Sequence, residues 1–64
     1  MSKKARRALA IYRKAALADA GHTFGNLARL ANVSWSMAEK WMNARRSSPK
    51  CERAFSTLTG QPHM

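Results

Sequence analysis

The side chains able to do chemistry in this sequence are mostly cations. Twelve Lys and Arg residues stand against three acidic ones, Asp19, Glu39 and Glu52, which gives a formal net charge of +9. Such an excess destabilises a compact chain through self-repulsion unless a polyanion binds it. The composition therefore predicts an anionic partner, with nucleic acid as the first candidate and an anionic membrane surface as the second.

The remaining reactive side chains are isolated from one another. Cys51 is the single cysteine, so an internal disulfide is impossible and a reducing compartment is the simpler assumption. His22 and His63 are far apart, and neither paired carboxylates nor a phosphate-binding loop accompany them. We predict a cytoplasmic protein that is not an enzyme and has no metal, cofactor, small-molecule ligand or membrane span. Cys51 is expected to be a small core residue.

Helices must position the cations. The distribution of helix formers, caps and breakers predicts one all-α domain over residues 1–64, with four or five helices and no strand. Four segments are predicted, at about 3–20, 24–31, 35–45 and 49–59. The sequence 61–64 is expected to be a frayed tail.

The first helix has an apolar arc and a charged arc on opposite sides. The predicted inner arc comprises Ala5, Ala8, Leu9, Ile11, Tyr12, Ala15 and Ala16. The predicted outer arc comprises Lys3, Arg6, Arg7, Arg13 and Lys14, and Leu17 falls among these charges. Two interpretations stay open for the basic residues of this segment: they wrap a phosphate backbone as an N-terminal arm and helix face, or they are solvated charge that only steers association. These residues are Lys3, Lys4, Arg6, Arg7, Arg13 and Lys14.

The second and third segments carry the strongest functional signal. Two short helices joined by a turn need a small residue where they cross, and Ala28 lies there. The turn needs a residue that tolerates positive φ, and Asn32 follows four positions later. An apolar residue comes next, and Ala38 and Trp41 anchor the following helix from beneath. This spacing predicts a helix-turn-helix at about residues 23–45.

The residues of this motif resemble a known family. The string Leu27–Ser34, followed by Met37, Ala38 and Trp41, is similar to the helix-turn-helix of Cro/repressor-type regulators of phages and bacteria. The basic turn before Pro49 and the ending Leu58-Thr59-Gly60 are also similar to that family, so the likeness covers residues 22–60. The chain departs from the family pattern at Asn32 (usually Gly), Ala38 (usually Val or Ile) and Phe24 (often a phosphate-contacting Gln).

The resemblance implies a sequence-specific, duplex-DNA-binding transcriptional regulator. A Cro-like repressor would read the major groove with the helix at 35–45, often as a homodimer on DNA. Its location would be the nucleoid of a bacterial or phage-infected host cell.

Individual residues receive expected roles from their positions. The expected base contacts are Ser34, Trp35, Ser36, Glu39, Lys40 and Asn43. The expected phosphate contacts are Thr23, Gly25, Arg29, Arg45, Arg46, Ser48 and Lys50. Alternatives stay open for several of these residues. In these alternatives, Trp35 covers the core edge or a subunit interface, Glu39 pairs with a neighbouring cation, and Lys40 contacts phosphate instead of a base. The helix N-terminal residues then act only as caps, and the cations around the turn before the fourth segment are an ordinary solvated charge run: Arg45, Arg46 and Lys50.

Other functions stay open at this point. A recombination directionality or architectural protein would use the same motif to bend DNA. A small protein-binding inhibitor would use the helix-turn-helix as a scaffold, with Leu17 and Trp35 as the apolar residues most available for a partner or a second subunit. A cationic membrane-active helix is suggested by residues 3–20 alone.

Overall fold

The computed structural model describes residues 2–63, which form four helices and no strand. The helices are α1 (Lys3–Asp19), α2 (Phe24–Ala31), α3 (Trp35–Met42) and α4 (Pro49–Thr59). The predicted all-α class is therefore confirmed, with four helices. Each helix begins after a Ser or Thr whose side-chain oxygen accepts the backbone amide of the residue three positions later. These caps are Ser2, Thr23, Ser34 and Ser48.

Each helix is followed by a residue in the left-handed conformation, at Gly21, Asn32, Ala44 and Gly60. Glycine and asparagine adopt positive φ easily, so three of these four helix ends can be predicted from the sequence. Ala44, with φ of 58°, is the exception. It turns the chain after Asn43, so that α3 ends at Met42 and not at about Arg45 as predicted. Alanine carries no signal for this conformation, which explains the error.

The core lies where α2 packs against both α3 and α4, and α1 closes it by lying across α3 and α4. Its buried residues are Leu17, Leu27, Ala28, Ala31, Ala38, Trp41, Met42, Cys51, Ala54 and Phe55. The rings of Trp41 and Phe55 are tilted against each other with centroids 5.5 Å apart. Tyr12 stands on the other side of Phe55, with ring centroids 6.2 Å apart. Cys51 is fully buried, as predicted for a core residue.

The inner face of α1 overlaps the predicted one only in part. Of the predicted inner arc, Leu9, Tyr12 and Ala16 are half-buried, and Tyr12 and Ala16 pack against the core. Leu17 is 1% exposed and Ala10 and Arg13 are also buried, whereas Ala8 and Ile11 are exposed. The helix is rotated by roughly 100° from the predicted orientation, which is the angle between consecutive residues. Leu17 is therefore a core residue, and the prediction that it is available for a subunit or partner contact is wrong.

Arg13 explains the rotation, and its predicted place among the solvated charges is also wrong. It is 4% exposed, and its guanidinium carbon lies 3.7 Å from the centre of the Trp41 ring. Its Nη1 donates to the Trp41 carbonyl oxygen, and its Nε donates to the His63 carbonyl oxygen at 3.1 Å. A planar, weakly hydrated guanidinium can stack on an aromatic ring while its N–H groups bond carbonyls in the same plane. The charge pattern of the sequence therefore assigns Arg13 to the outer arc of α1, although the residue lies on the inner face.

The C-terminal segment is tied to α1, contrary to the prediction of a frayed tail. The Tyr12 hydroxyl donates to the Pro62 carbonyl oxygen, beside the bond from Arg13 to His63. His63 Nε2 also lies 3.9 Å from a carboxylate oxygen of Glu52 on α4. These contacts hold residues 62–63 across the seam between α1 and α4; Met64 lies outside the described residues.

Candidate nucleic-acid interface

The connection between α2 and α3 has the local geometry that the sequence predicts. Asn32 is left-handed with φ of 58°, and the Val33 amide donates back to the Ala28 carbonyl oxygen at 3.0 Å. This bond satisfies a carbonyl at the end of α2 and turns the chain sharply. Val33 is half-buried against the core, and Ala28 and Ala38 are buried on the two helices. Their small side chains let α2 and α3 pack closely.

One side of α3 is buried and the other faces outward. Ala38, Trp41 and Met42 are buried in the core. At 100° per residue, the positions on the opposite side are Ser36, Glu39, Lys40 and Asn43, which we call the outer row of α3. Ser36 and Lys40 are exposed, whereas Glu39 and Asn43 are half-buried. The outer row thus presents a hydroxyl, a carboxylate, an ammonium and an amide along one side of the helix.

Two of the six residues predicted to contact bases bond the backbone of α3 itself. The Ser34 hydroxyl accepts the Met37 amide at 3.1 Å and so caps the N-terminus of the helix. The Asn43 side-chain amide donates to the Glu39 carbonyl oxygen at 3.0 Å at the other end. Ser36 and Lys40, which are exposed between these ends, are the members of the outer row best placed to reach a partner.

Trp35 occupies the front of α3 between the core and solvent. Its ring centroid lies 6.0 Å from that of Phe24, the first residue of α2, with the two planes tilted by 37°. The residue is nevertheless 54% exposed. The indole therefore covers the edge of the core beside Phe24, and the rest of its surface is exposed.

Two of the three helix N-terminal residues predicted to contact phosphate, Thr23 and Ser48, are structural caps. Thr23 and Asn26 form a reciprocal capping box, in which the Thr23 oxygen accepts the Asn26 amide and Asn26 Oδ1 accepts the Thr23 amide. Ser48 is 8% exposed, and its hydroxyl accepts the Cys51 amide at 3.2 Å. Burial places Ser48 out of reach of a surface ligand, whereas Thr23 remains exposed and Gly25 is half-buried.

The four charged residues predicted to contact phosphate are all exposed: Arg29, Arg45, Arg46 and Lys50. Arg45 and Arg46 directly follow the end of α3. The Arg45 amide donates to the Lys40 carbonyl oxygen at 2.8 Å, a bond that closes the last turn of the helix. The left-handed Ala44 thus brings two arginines to the C-terminal end of the outer row.

The second feature of this surface is a groove, and the sequence did not predict that its residues lie together. A groove of about 400 Å³ lies between residues 3–14 of α1 and the residues at the end of α3. It is lined by the cations Lys3, Arg6, Arg7, Lys14 and Arg45, together with Ile11 and Asn43, and we call it the basic groove. The signal was present in the sequence, because Lys3, Arg7 and Lys14 recur on one side of α1. The other side of the groove, which Asn43 and Arg45 form at the end of α3, could be identified only from the tertiary structure.

Comparison of the chain with models of known protein families, with curated proteins and with solved structures finds no match. Within residues 2–63, none of the helices combines the length and apolar character that crossing a membrane requires. The same residues bring no three His, Cys, Asp or Glu side chains together in a group suited to a metal ion.

Proposed function

We propose that the protein binds duplex DNA sequence-specifically as a helix-turn-helix protein, placing α3 in the major groove and regulating transcription. The observation that carries this proposal is the construction of α3. Ala38, Trp41 and Met42 hold one side of the helix in the core. The outer row lies on the opposite side, and its C-terminal end is next to the exposed Arg45 and Arg46. An exposed polar helix flanked by cations meets the requirements of groove binding.

The chemistry of the outer row suits base edges. The major groove of B-DNA is about 12 Å wide and admits an α-helix, and each base pair presents a distinct pattern of donors and acceptors there. The Ser36 hydroxyl can donate to or accept from a base, and the Lys40 ammonium can donate to the acceptors of guanine. Trp35 adds an exposed apolar surface at the front of the helix, suited to a thymine methyl or a sugar.

Phosphate binding supplies the affinity in this proposal. Arg45 and Arg46 lie at the end of α3, where the DNA backbone borders the groove that the helix enters. The net charge of +9 favours a polyanion over the whole surface. Contacts to phosphate position a protein on DNA but carry no sequence information directly, so the two sets of residues have separable roles.

Selection of bound sequences from a random duplex library at near-physiological salt tests the proposal. We expect one short motif to be enriched, and an inverted repeat would indicate binding as a homodimer. Replacement of Ser36 or Lys40 by alanine should change the preferred base at one position, at about 1–3 kcal/mol. Ser56→Ala, an exposed serine on α4, is the matched control and should leave the preference unchanged. Enrichment of no motif would exclude sequence-specific reading by α3.

The proposed phosphate contacts are tested by the dependence of the binding constant on salt concentration. Arg46→Ala should weaken binding to every duplex and lower the slope of log K against log salt by about 0.9, the contribution of one phosphate contact. Arg53→Ala removes the same side chain from an exposed position on α4 and is the control, with an unchanged slope expected. Equal slopes for the two variants would show that Arg46 contacts no phosphate.

A further inference from the structure

We propose that the basic groove is a second phosphate-binding surface, which holds the phosphodiester backbone of the duplex beside the segment that α3 reads. This inference rests on the proposed function, since it places the groove on the same DNA. It assigns a binding role to Lys3, Arg7 and Lys14 of α1, which lie outside the outer row and outside the turn after α3.

The charge of the groove is of one sign. Five cations line it, and none of the three carboxylates, Asp19, Glu39 and Glu52, is among its lining residues. A cleft lined by one sign of charge focuses the field and raises the local concentration of the opposite ion. The groove therefore concentrates the positive charge of α1 where it can attract a row of phosphates.

The dimensions also fit a nucleic-acid strand. Lys3 and Lys14 mark the two ends of the α1 side, and a helix segment between them is about 16 Å long. One DNA strand presents a phosphate about every 3.4 Å along the duplex axis, and because the strand winds around that axis at most about five of its phosphates lie within that span. Several cations of the groove can thus each face a phosphate of one strand.

The groove is continuous with the outer row of α3. Asn43 belongs to both, because it is the last member of the row and also lines the groove. Arg45, which follows the end of α3, lines the groove on the same side. A duplex lying against the outer row therefore meets the groove at the C-terminal end of α3, and the half-buried Glu39 is the one carboxylate of that row.

Two double variants with equal loss of charge test the inference. The first, Arg7→Gln with Lys14→Gln, removes one Arg and one Lys from the groove. The second, Lys4→Gln with Arg53→Gln, removes one Arg and one Lys from exposed positions that do not line it. Glutamine has a helix propensity close to those of lysine and arginine, so the helices should be retained in both.

Affinity for the selected duplex and for a duplex of unrelated sequence is measured over a range of salt concentrations. Loss of two phosphate contacts should lower affinity for both duplexes about 30-fold at 0.15 M salt and flatten the salt slope by about 1.8. The preferred sequence should stay the same. The control pair should lose less than about threefold, because neither side chain lines the groove and exposed charges that make no phosphate contact are screened.

The outcomes separate this inference from the proposed function. If wild type selects a sequence and the two pairs lose equal affinity, the groove is not a site and the function of α3 stands. If wild type binds all duplexes alike but only the groove pair is impaired, the groove binds DNA and sequence reading by α3 fails. Loss of binding to vesicles containing anionic lipid, with DNA binding unchanged, would assign the groove to a membrane surface and overturn the inference.

Discussion

Arg13 and Arg7 lie on the same helix, yet they face opposite environments. Arg13 is 4% exposed and stacks on Trp41, on the face of α1 that closes the core. Arg7 is exposed and lines the basic groove on the adjoining face. The two faces of α1 therefore use the same side chain differently: one packs it against the core, and the other leaves it exposed at the groove.

The difference follows from what each face offers the guanidinium. On the inner face, carbonyl oxygens of Trp41 and His63 accept its N–H groups and an indole ring covers its plane. Burial lowers the pKa of Arg13 from its ordinary value, and the Glu52 carboxylate acts in the opposite direction. An arginine remains protonated under such a shift, so α1 carries a cation into the edge of the core. On the groove face, Arg7 is exposed, and within residues 2–63 no indole ring covers its guanidinium.

The largest expected effect separates the apolar residues of the two faces. Leu17→Ala should destabilise the fold by about 3 kcal/mol, because a fully buried leucine leaves a cavity. Ile11→Ala, at a residue 61% exposed on the groove face, should change stability by less than about 0.5 kcal/mol. Urea denaturation followed by tryptophan fluorescence measures both. A stable Leu17→Ala protein with an altered oligomeric state would instead place Leu17 in a subunit contact.

The next effect separates the two arginines themselves. Arg13→Ala should destabilise the fold by about 2 kcal/mol, since it removes the stacking on Trp41 and the bonds to two carbonyl oxygens. Arg7→Ala should leave stability within about 0.5 kcal/mol of wild type. Arg13→Lys should recover only part of the loss, because an ammonium cannot stack and bond in one plane. Equal unfolding midpoints for the two alanine variants would contradict the packing role of Arg13.

The smallest effect concerns the turn that brings Arg45 to the groove face. Ala44 has φ of 58°, a conformation that disfavours residues with a Cβ by roughly 1–2 kcal/mol. Ala44→Gly should therefore stabilise the fold by about 0.5–1 kcal/mol, despite the greater freedom of glycine in the unfolded chain. Ala8→Gly, at an exposed position within α1, should destabilise it by about 1 kcal/mol. Thermal unfolding that shows Ala44→Gly to be destabilising would mean that α3 continues past Asn43.

The local parts of the fold were predictable from sequence. The bounds of α2 and α4 follow from Thr23 and Ser48 as caps and from Asn32 and Gly60 as left-handed ends. The inner side of α3 was also predicted, because Ala38 and Trp41 stand at the spacing that one helical face requires. Such signals act within a few residues, so a single sequence is enough to read them.

The candidate site was predictable only in part. The exposure of Ser36, Lys40 and Trp35 agrees with their expected place on the outward surface of α3. The structure confirms Ser48 as the N-cap of α4 but also buries it, and it places Asn43 at the edge of the basic groove. The spacing along the chain revealed neither the burial of Ser48 nor the place of Asn43. Both differences arise from neighbours that are distant in sequence or from the turn at Ala44.

The sequence by itself determined the four helices, the turn between α2 and α3, and the excess of positive charge, because caps, left-handed residues and composition act locally or additively. Only the tertiary structure decided which face of α1 is buried and which cations meet across the basic groove. Packing against Trp41 and the carbonyls of residues distant in sequence makes Arg13 an inner residue, and no periodicity within α1 contains that information.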